Sequence, residues 1–251
     1  MPGIFNTYYI VGNGSNLLVG DKGFRGAIIQ LYKSMGTFQV EGNQITAQAG
    51  CSLAQIANAA LDAALTGFEF AAGIPGTLGG AVVMNAGAYG GEMKDVLVSV
   101  TAMDRNGELH TYTPAQLELT YRRSRFSHTD EIIVSGDFKL AHGDKAEIEA
   151  KMNDLMARRK DKQPLEYPNA GSTFKRPEGQ FAGKLIQDCG LRGATVGGAQ
   201  VSEKHCGFVI NKGGATSADI KELIAHIQKT VYEKTGFHLE CEVRIIPYKA
   251  D

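Results

Sequence analysis

A glycine-rich run between Ala71 and Gly91 carries the strongest chemical signal in the sequence. It holds seven glycines and one proline in a largely uncharged stretch, and this composition is incompatible with one continuous helix. Because glycine has no Cβ, its backbone can lie close to a ligand, and successive N–H groups in such turns form concave anion-binding nests. The alternative is a buried connection rich in turns. The length of the run favours a cradle for a phosphate or a cofactor.

A second glycine loop, residues 12–16, follows the β-branched and aromatic run Tyr8–Val11. Its sequence, Gly-Asn-Gly-Ser-Asn, comes directly after a predicted strand, where glycine loops commonly hold phosphate. The Gly-x-Gly-x-x-Gly spacing and an ordinary following helix are both missing, so the dinucleotide-binding fingerprint is absent. A plain turn explains the two glycines equally well. Together, this loop and the 71–91 run predict two glycine loops that bind one long anionic ligand.

Three further segments carry groups able to bind charge or move a proton. Residues 121–126 hold three arginines, the side chain best suited to bidentate binding of carboxylate or phosphate, although a solvated basic turn is the alternative. Ser172 lies in a glycine-flanked loop with a lysine nearby; it lacks the Gly-x-Ser-x-Gly elbow, and a capping role is the usual alternative. Glu240 and Glu242 share one face of a predicted strand, where most glutamates face water.

The cysteines and histidines show no metal-ligand spacing. The four cysteines lack a Cys-x-x-Cys pair and flanking histidines, so we expect neither zinc nor a disulfide framework, but buried free thiols in a reducing compartment. The six histidines are scattered along the chain. The sequence therefore predicts no metal site.

Length and composition limit the class of protein. The 251 residues suffice for one large domain or two ordinary ones, and hydrophobic residues make up 43%. A formal net charge of −1 gives no electrostatic case for nucleic acid or an anionic membrane. The start, Met1–Phe5, lacks the pattern of a signal peptide, and no apolar run is suited to a membrane helix. We expect a soluble, cytoplasmic protein.

The elements that must position these groups follow from hydrophobic periodicity and turn residues. Ser52 predicts the N-cap of a helix that ends at Gly67, and Asp144 with Glu147 predicts another that ends before Pro164. A last helix is predicted over about 217–235. Strand signals alternate with these helices and predict an α+β fold. The predicted strands are 8–11, 27–31, 38–40, 44–49, 96–103, 108–112, 131–140 and 239–246. Two pairs of them are predicted to form hairpins, one around Glu41-Gly42-Asn43 and one around Asn106-Gly107.

Five motifs, in order along the chain, resemble one known family. They are Gly-Asn-Gly-Ser-Asn-Leu-Leu-Val at 12–19, Ala-Gly-Ile-Pro-Gly-Thr-Leu-Gly-Gly at 72–80 with Asn-Ala-Gly-Ala-Tyr-Gly at 85–90, Tyr-Arg-x-Ser-x-Phe at 121–126, Asn-Ala-Gly-Ser-x-Phe-Lys at 169–175 and Glu-Val-Arg-Ile-Ile at 242–246. On these motifs the sequence resembles the UDP-N-acetylenolpyruvoylglucosamine reductases, the MurB family, over essentially its whole length.

The resemblance implies a flavoenzyme of peptidoglycan precursor synthesis. NADPH would reduce FAD, and the flavin would reduce the enolpyruvyl group of the UDP-sugar to give UDP-N-acetylmuramate. The implied fold is the two-subdomain FAD-binding fold of the vanillyl-alcohol-oxidase/PCMH type, followed by a C-terminal α+β substrate-binding domain. The implied segments are 1–26, a remnant of the first FAD-binding subdomain, 27–162, the second subdomain, and 163–251, the substrate-binding domain.

The same resemblance assigns roles to individual residues. Ser172 would donate the proton, while Arg122 and Glu242 would stabilise the enol-like intermediate. Contacts to substrate or NADPH would come from Tyr121, Lys162, Lys175 and His205. The cofactor-binding residues would be Gly12, Asn13, Gly14, Ser15, Asn16, Gly73, Ile74, Pro75, Gly76, Thr77, Gly79, Gly80, Asn85 and Gly87.

Two departures from the family pattern are visible in the sequence. Family members normally carry a further β-α-β-α stretch before the strand that starts here near Tyr8, so we expect an N-terminal truncation. Phe126 and Glu131 leave no room between them for the long substrate-binding loop of one subgroup, so the chain resembles the shorter subgroup. We separately expect a monomer. Two alternatives remain: another FAD oxidoreductase of the same fold, and a non-catalytic UDP-sugar-binding remnant. Bound flavin that NADPH bleaches would separate them.

Overall fold

The structure, a computed structural model, describes residues 7–246, and these divide into two compact units. Among the described residues, the first unit comprises 7–14 and 26–159, and the second comprises 15–25 and 160–246. Each unit has its own hydrophobic core, and each contains helices and strands, so the predicted α+β class is confirmed. The three segment boundaries implied by the family resemblance remain predictions.

Helices and short strands alternate along the described residues. The α-helices are α1 (Leu53–Asp62), α2 (Leu78–Val83), α3 (Lys145–Lys162), α4 (Ala182–Asp188) and α5 (Ser217–Thr235). The strands are β1 (Tyr8–Val11), β2 (Leu17–Val19), β3 (Ala27–Gln30), β4 (Phe38–Glu41), β5 (Gln44–Gln48), β6 (Leu65–Thr66), β7 (Gly87–Ala88), β8 (Gly91–Glu92), β9 (Leu97–Met103), β10 (Leu109–Tyr112), β11 (Ile132–Lys139), β12 (Ala141–His142), β13 (Thr195–Val196), β14 (Ala199–Val201), β15 (Val209–Asn211) and β16 (Arg244–Ile246). Single 3-10 turns are formed by Glu69–Ala71, Met93–Asp95, Pro114–Leu117 and Arg125–Ser127.

A five-stranded antiparallel sheet organises the first unit. Its strand order is β10-β9-β11-β5-β4, and both predicted hairpins, β4–β5 and β9–β10, are confirmed. Side chains alternate along β5, where Ile45 and Ala47 are buried while Gln44 and Thr46 are exposed, as the two-residue period of a strand requires. Helices α1 and α2 pack against this sheet and contribute to one core.

The first predicted helix begins as expected but ends earlier. The Ser52 side chain accepts the N–H of Gln55, and Gln55 completes the capping box. The expected end at Gly67 is wrong, because Ala64 adopts a left-handed backbone with φ 53° and the helix stops at Asp62. Leu65 then turns into the core on β6, which pairs with β12. Its apolar side chain fits a helical period and a buried strand equally, so periodicity alone could not separate them.

The second unit combines a small sheet with the predicted last helix. Strands β13, β14 and β15 form an antiparallel sheet against α5, which has the predicted bounds and ends at Gly236 in a left-handed conformation. Sequence reasoning missed this sheet and α4, because two- and three-residue strands carry almost no periodic signal. The predicted strand 239–246 is too long, since regular pairing covers only Arg244–Ile246, in parallel with β2.

No helix among the described residues has both the length and the apolar character needed to cross a bilayer. The expectation about a signal peptide concerns Met1–Phe5, and these residues lie outside the described part of the chain.

A buried carboxylate joins two elements of the first unit. Glu69 has a side chain only 2% exposed, and it accepts hydrogen bonds from Thr66 Oγ1, the Gly67 N–H and Lys151 Nζ of α3. Burial by itself would raise the pKa of this carboxyl, but the hydrogen bonds outweigh burial and hold the pKa below its ordinary value of 4.5. Glu69 is therefore ionised in the folded protein and ties α3 to the segment before the glycine-rich run.

We expect Glu69→Gln to lower the stability of the protein by about 2 kcal/mol at pH 7, because hydrogen bonds to a charged acceptor are replaced by neutral ones. Since the folded-state pKa is depressed, the contribution of Glu69 is present above pH 4.5 and is lost as the pH falls through the lower folded-state pKa. Chemical unfolding of wild type and variant from pH 3 to pH 8 tests this. A difference in stability that is constant across this range would contradict it.

Candidate functional site

The two glycine loops meet within the first unit. Asn13 Nδ2 donates a hydrogen bond to the Pro75 carbonyl at 2.8 Å, and a Cβ at Gly12 would collide with Thr77 Oγ1. Thr77 is only 1% exposed, and its hydroxyl has no hydrogen-bond partner within the described residues. A buried hydroxyl without a partner is costly. The two loops are therefore in direct contact, and the unsatisfied Thr77 hydroxyl offers a hydrogen bond to a polar ligand.

The glycine-rich run is more ordered than its composition indicates. The N–H groups of Ile74, Leu78 and Gly79 are bonded to the carbonyls of Ala71, Cys51 and Ala49. These three N–H groups therefore cannot form an anion-binding nest, which narrows the prediction made from the sequence.

Two of the predicted cofactor-binding glycines differ in their surroundings. A Cβ at Gly79 would lie 3.1 Å from Ala49 Cβ, so this glycine permits close packing of α2 on the strand end. Gly80 is exposed, and a Cβ there would have only Thr77 Oγ1 within 4 Å, at 3.8 Å. Gly80 therefore remains open to a ligand, whereas the absence of a side chain at Gly79 has a structural reason.

The C-terminal end of the run is fastened by Asn85. This residue is 0% exposed and has a positive φ of 41°. Its Nδ2 donates to Glu92 Oε2 at 2.9 Å and to the Thr120 carbonyl at 3.1 Å, and its Oδ1 accepts the Lys94 N–H at 3.0 Å. The Asn85 side chain is thus engaged inside the protein. Its predicted contact with a cofactor could use only the backbone.

Arg122 lies at a tight turn beside this segment. Thr120 and Arg123 exchange backbone hydrogen bonds, and Arg122 occupies the turn with a φ of 55°. Its guanidinium approaches the Gly87 carbonyl at 3.4 Å and lies 5.1 Å from the centre of the Tyr121 ring. The structure therefore brings Arg122 and Tyr121 together with the predicted cofactor-binding residue Gly87.

The three arginines of the 121–126 segment have different environments. Arg123 is exposed. Arg125 pairs with Glu131 at 3.2 Å and stacks on Tyr112, with its Cζ 3.9 Å from the ring centre. Burial raises the pKa of Glu131, but the hydrogen bond from Tyr112 and the charge of Arg125 together bring it below its usual value. Arg125 is therefore part of an internal ion pair, whereas the partly buried Arg122 lies at the turn beside Gly87.

In the second unit, Ser172 lies on a loop held by its neighbour Thr173. The Thr173 N–H binds the Gly207 carbonyl, its carbonyl accepts the Glu242 N–H at 2.8 Å, and its buried Oγ1 accepts the Val209 N–H at 2.9 Å. Ser172 itself is exposed. The second unit therefore places Ser172 next to a residue that is bonded directly to Glu242.

The other end of this arrangement involves the first glycine loop. Asn16 Nδ2 donates to the Glu242 carbonyl at 3.0 Å, and the Arg244 N–H donates to the Asn16 carbonyl. Asn16 and Ser15 belong to the second unit, whereas Gly12, Asn13 and Gly14 belong to the first. Likewise Arg122 belongs to the first unit, and Ser172 and Glu242 to the second.

His205 supports the same loop. Its Nδ1 accepts the Gly207 N–H at 3.0 Å, and burial lowers the pKa of the ring. At neutral pH the imidazole is therefore uncharged and carries its proton on Nε2, as inferred from the hydrogen bond. Of the other predicted substrate contacts, Lys175 pairs with Glu240, and Lys162 is exposed at the end of α3.

Arg159 is a candidate binding residue that sequence reasoning missed. It is half-buried on α3, and its Cδ lies 3.1 Å from the position of a Cβ at Gly73. Burial lowers the pKa of this guanidinium, and no carboxylate within the described residues pairs with it. The sequence shows only consecutive basic residues at 158–160, and nothing in the pattern separates Arg159 from the exposed Arg158, which pairs with Asp154.

One group in the described chain has the composition of a metal site. Asp104, Glu108 and His110 lie close together at the β9–β10 hairpin. Asp104 Oδ1 accepts the N–H groups of Asn106 and Glu108, and its Oδ2 contacts His110 Nε2. These bonds, which close the turn, account for the arrangement without a metal.

Comparison with known proteins shows two family matches along the chain. Residues 163–246 match the family described as UDP-N-acetylenolpyruvoylglucosamine reductase, C-terminal domain, and residues 6–113 match the family described as FAD binding domain. This order agrees with the predicted succession of a FAD-binding part and a C-terminal domain.

Individual relatives extend the likeness over nearly the whole chain. A protein of Agathobacter rectalis named UDP-N-acetylenolpyruvoylglucosamine reductase is 54% identical over 249 residues, covering 94% of this chain and 79% of the relative. One of the same name from Exiguobacterium sibiricum is 54% identical, covering 96% and 79%. The crystal structure of UDP-N-acetylenolpyruvylglucosamine reductase (MurB) from Thermus caldophilus matches with a TM-score of 0.84 and 37% identity, covering 96% of this chain and 85% of that one.

We expect Thr173→Val to destabilise the protein by about 1–3 kcal/mol, because the isosteric change leaves the buried Val209 N–H without its acceptor. Thr195→Val, at an exposed position of β13 in the same unit, is the matched control and should stay within about 0.5 kcal/mol of wild type. Urea unfolding measures both. Equal stability of the two variants would show that the Thr173 hydroxyl does not hold the Ser172 loop.

Proposed function

Since this chain belongs to the family of UDP-N-acetylenolpyruvoylglucosamine reductases, we propose that it reduces the enolpyruvyl group of UDP-N-acetylenolpyruvoylglucosamine to give UDP-N-acetylmuramate. The observation that carries this proposal is the 54% identity to a reductase of that name over 94% of the chain. The protein is then a FAD-dependent oxidoreductase that uses NADPH, and it acts in the synthesis of peptidoglycan precursors.

The first unit offers a chemically suitable place for FAD. The absence of a side chain at Gly12 lets the Thr77 side chain lie against the first loop, Thr77 Oγ1 has no partner within the described residues, and Gly80 is open to solvent. We assign the loops 12–16 and 73–80 to the cofactor on this basis. Bound FAD would supply hydride transfer, taking the hydride from NADPH and passing it to the enolpyruvyl double bond.

The residues of the chain then have to stabilise negative charge on the substrate and supply a proton to it. Hydride addition at the β-carbon leaves negative charge at the α-carbon, next to the substrate carboxylate. Arg122 would stabilise this enol-like charge with its positive charge, and Glu242 would do so by donating a hydrogen bond as the protonated acid. Arg122 suits the task because its turn and the Gly87 carbonyl restrain its guanidinium before the reaction, and a charge oriented in advance needs no reorganisation.

Ser172 would donate the proton to the α-carbon. An unperturbed serine is a very weak acid, and such a donor works only where the developing carbanion is strongly basic and fixed charges surround it. The Thr173 bonds support this role, since they limit movement of the adjacent serine while leaving its side chain exposed.

Substrate contacts are proposed for Tyr121, Lys162, Lys175 and His205. The neutral His205 ring retains one N–H donor, which suits a phosphate oxygen of the UDP group. We also propose a monomer that binds a small molecule in the reducing cytoplasm. The net charge of −1 gives no electrostatic attraction to nucleic acid, and the four free cysteines fit a reducing compartment.

We expect Ser172→Ala to stop reduction of the UDP-sugar while flavin reduction by NADPH continues at the wild-type rate. Loss of a positioned proton donor lowers the affected step by about 10²–10⁴-fold. Stopped-flow absorbance of the flavin follows bleaching by NADPH and recovery of the yellow colour with substrate in the same sample. Equal slowing of both half-reactions would rule out the assignment of Ser172.

Gly12→Ala should weaken FAD binding, because the new Cβ would collide with Thr77 Oγ1 and displace one loop. Gly36→Ala is the matched control, since a Cβ there makes ordinary contacts, the nearest at 3.7 Å to Lys33 Cα. Flavin content after gel filtration and FAD titration of the apoprotein compare the two. If Gly12→Ala retains the wild-type flavin content, the loops do not enclose the cofactor at this point.

A further inference from the structure

The turn that carries Arg122 is fastened to the segment 83–94 on both sides. Before Arg122, the Thr120 carbonyl accepts a hydrogen bond from Asn85 Nδ2. After it, the hydroxyls of Ser124 and Ser127 both donate to the Val83 carbonyl, at 2.9 and 3.1 Å. The position of Arg122 therefore depends on where the end of the glycine-rich run lies.

Asn85 is the residue that links the glycine-rich run most directly to the Arg122 turn. Its amide has two N–H groups; one binds the Glu92 carboxylate and the other the Thr120 carbonyl. A bond to an ionised acceptor is stronger than one between neutral groups, so the Glu92 contact fixes the amide orientation. The second N–H is then directed at the Arg122 turn.

The electrostatics of Glu92 agree with this arrangement. The hydrogen bond from Lys94 is the largest influence that lowers the pKa of Glu92, and the bond from Asn85 and the charge of Arg122 act in the same direction. Glu92 therefore remains ionised and keeps the Asn85 amide in place. The Glu92 carboxylate thus orients the Asn85 amide, and the amide in turn binds the turn that carries the Arg122 guanidinium.

The alternative, that Asn85 serves only as a cofactor ligand, is poorly supported by its surroundings. Its side chain is 0% exposed, and both its Oδ1 and its Nδ2 are bonded within the protein. Its positive φ also has a local reason, since the chain turns there from α2 into β7.

We propose that Asn85 is a positioning residue that holds the Arg122 guanidinium in its reactive place, an inference that rests on the proposed function. Asn85 touches neither substrate nor reacting atoms in this role. It acts by keeping the Thr120–Arg123 turn at a fixed distance from the run assigned to FAD. A misplacement of about 1 Å at a reacting group can cost about a hundredfold in rate.

Asn85→Gly is the main variant, because glycine tolerates the positive φ and removes all three side-chain bonds. Asn85→Asp is the second: it keeps an acceptor for Lys94 and the backbone preference but removes both donors. Asp104→Ala is the matched control, since it removes turn-closing bonds in the same unit at the β9–β10 hairpin, away from the Arg122 turn.

The first experiment separates the two half-reactions of the flavin-loaded protein. We expect Asn85→Gly to slow flavin reoxidation by the UDP-sugar about a hundredfold, through kcat more than KM. Its FAD dissociation constant and its reduction by NADPH should equal those of Asp104→Ala. In an Arg122→Lys background, Asn85→Gly should add little, because both changes act on one guanidinium. Weaker FAD binding in proportion to lost activity, or additive effects with Arg122→Lys, would overturn the proposal.

A second experiment does not depend on activity. Trypsin cleaves after Arg122 and Arg123, and release of the Thr120 carbonyl should speed cleavage there about tenfold or more as the turn opens more often. Asn85→Asp should behave like Asn85→Gly, whereas Asp104→Ala should match wild type. Unchanged cleavage in both Asn85 variants would overturn the positioning role. If wild-type flavin is not reoxidised by the UDP-sugar, the proposed function fails, and the protease result still decides whether Asn85 holds the turn.

Discussion

Buried irregular backbone must find hydrogen-bond partners, and this requirement shapes the whole candidate site. The glycine-rich run has only one short helix and two two-residue strands, and several of its remaining polar groups are bonded to other segments. Ala49 and Cys51 accept its N–H groups at one end, and Asn85 joins it to the Arg122 turn at the other. The loops hold defined positions because other conformations would leave buried polar atoms without hydrogen-bond partners.

Two buried threonines show how the same requirement separates structural positions from binding positions. Thr173 has its hydroxyl, N–H and carbonyl all bonded within the protein, so it holds the Ser172 loop in place. Thr77 is equally buried, but its hydroxyl has no partner among the described residues. The Thr77 hydroxyl thus marks one position within the candidate cofactor cradle that the number of glycines alone does not indicate.

The sequence predicts the elements whose signals are local. The Asn106-Gly107 hairpin, the Ser52 cap and the bounds of α5 were all recoverable, because turn chemistry, capping and helical period act within a few residues. The early end of α1 depends on one left-handed alanine, Ala64, which no composition rule indicates.

The candidate site is only partly predictable for a related reason. The family resemblance picks out the segments that carry Arg122, Ser172 and Glu242, but the partners that fix them lie far away in sequence. The rotation of α3 about its axis decides that Arg159 approaches Gly73 while Arg158 faces solvent. The bond from Asn85 to Thr120 likewise depends on tertiary contact.

The connection of Asn16 to Glu242 spans 226 positions, and it has a consequence for synthesis of the protein. Because β2 pairs with β16, the second unit cannot be completed on the ribosome until Ile246 has emerged. An early segment must therefore wait, unpaired, while the first unit is made, and neither unit corresponds to a single uninterrupted stretch that could be expressed alone.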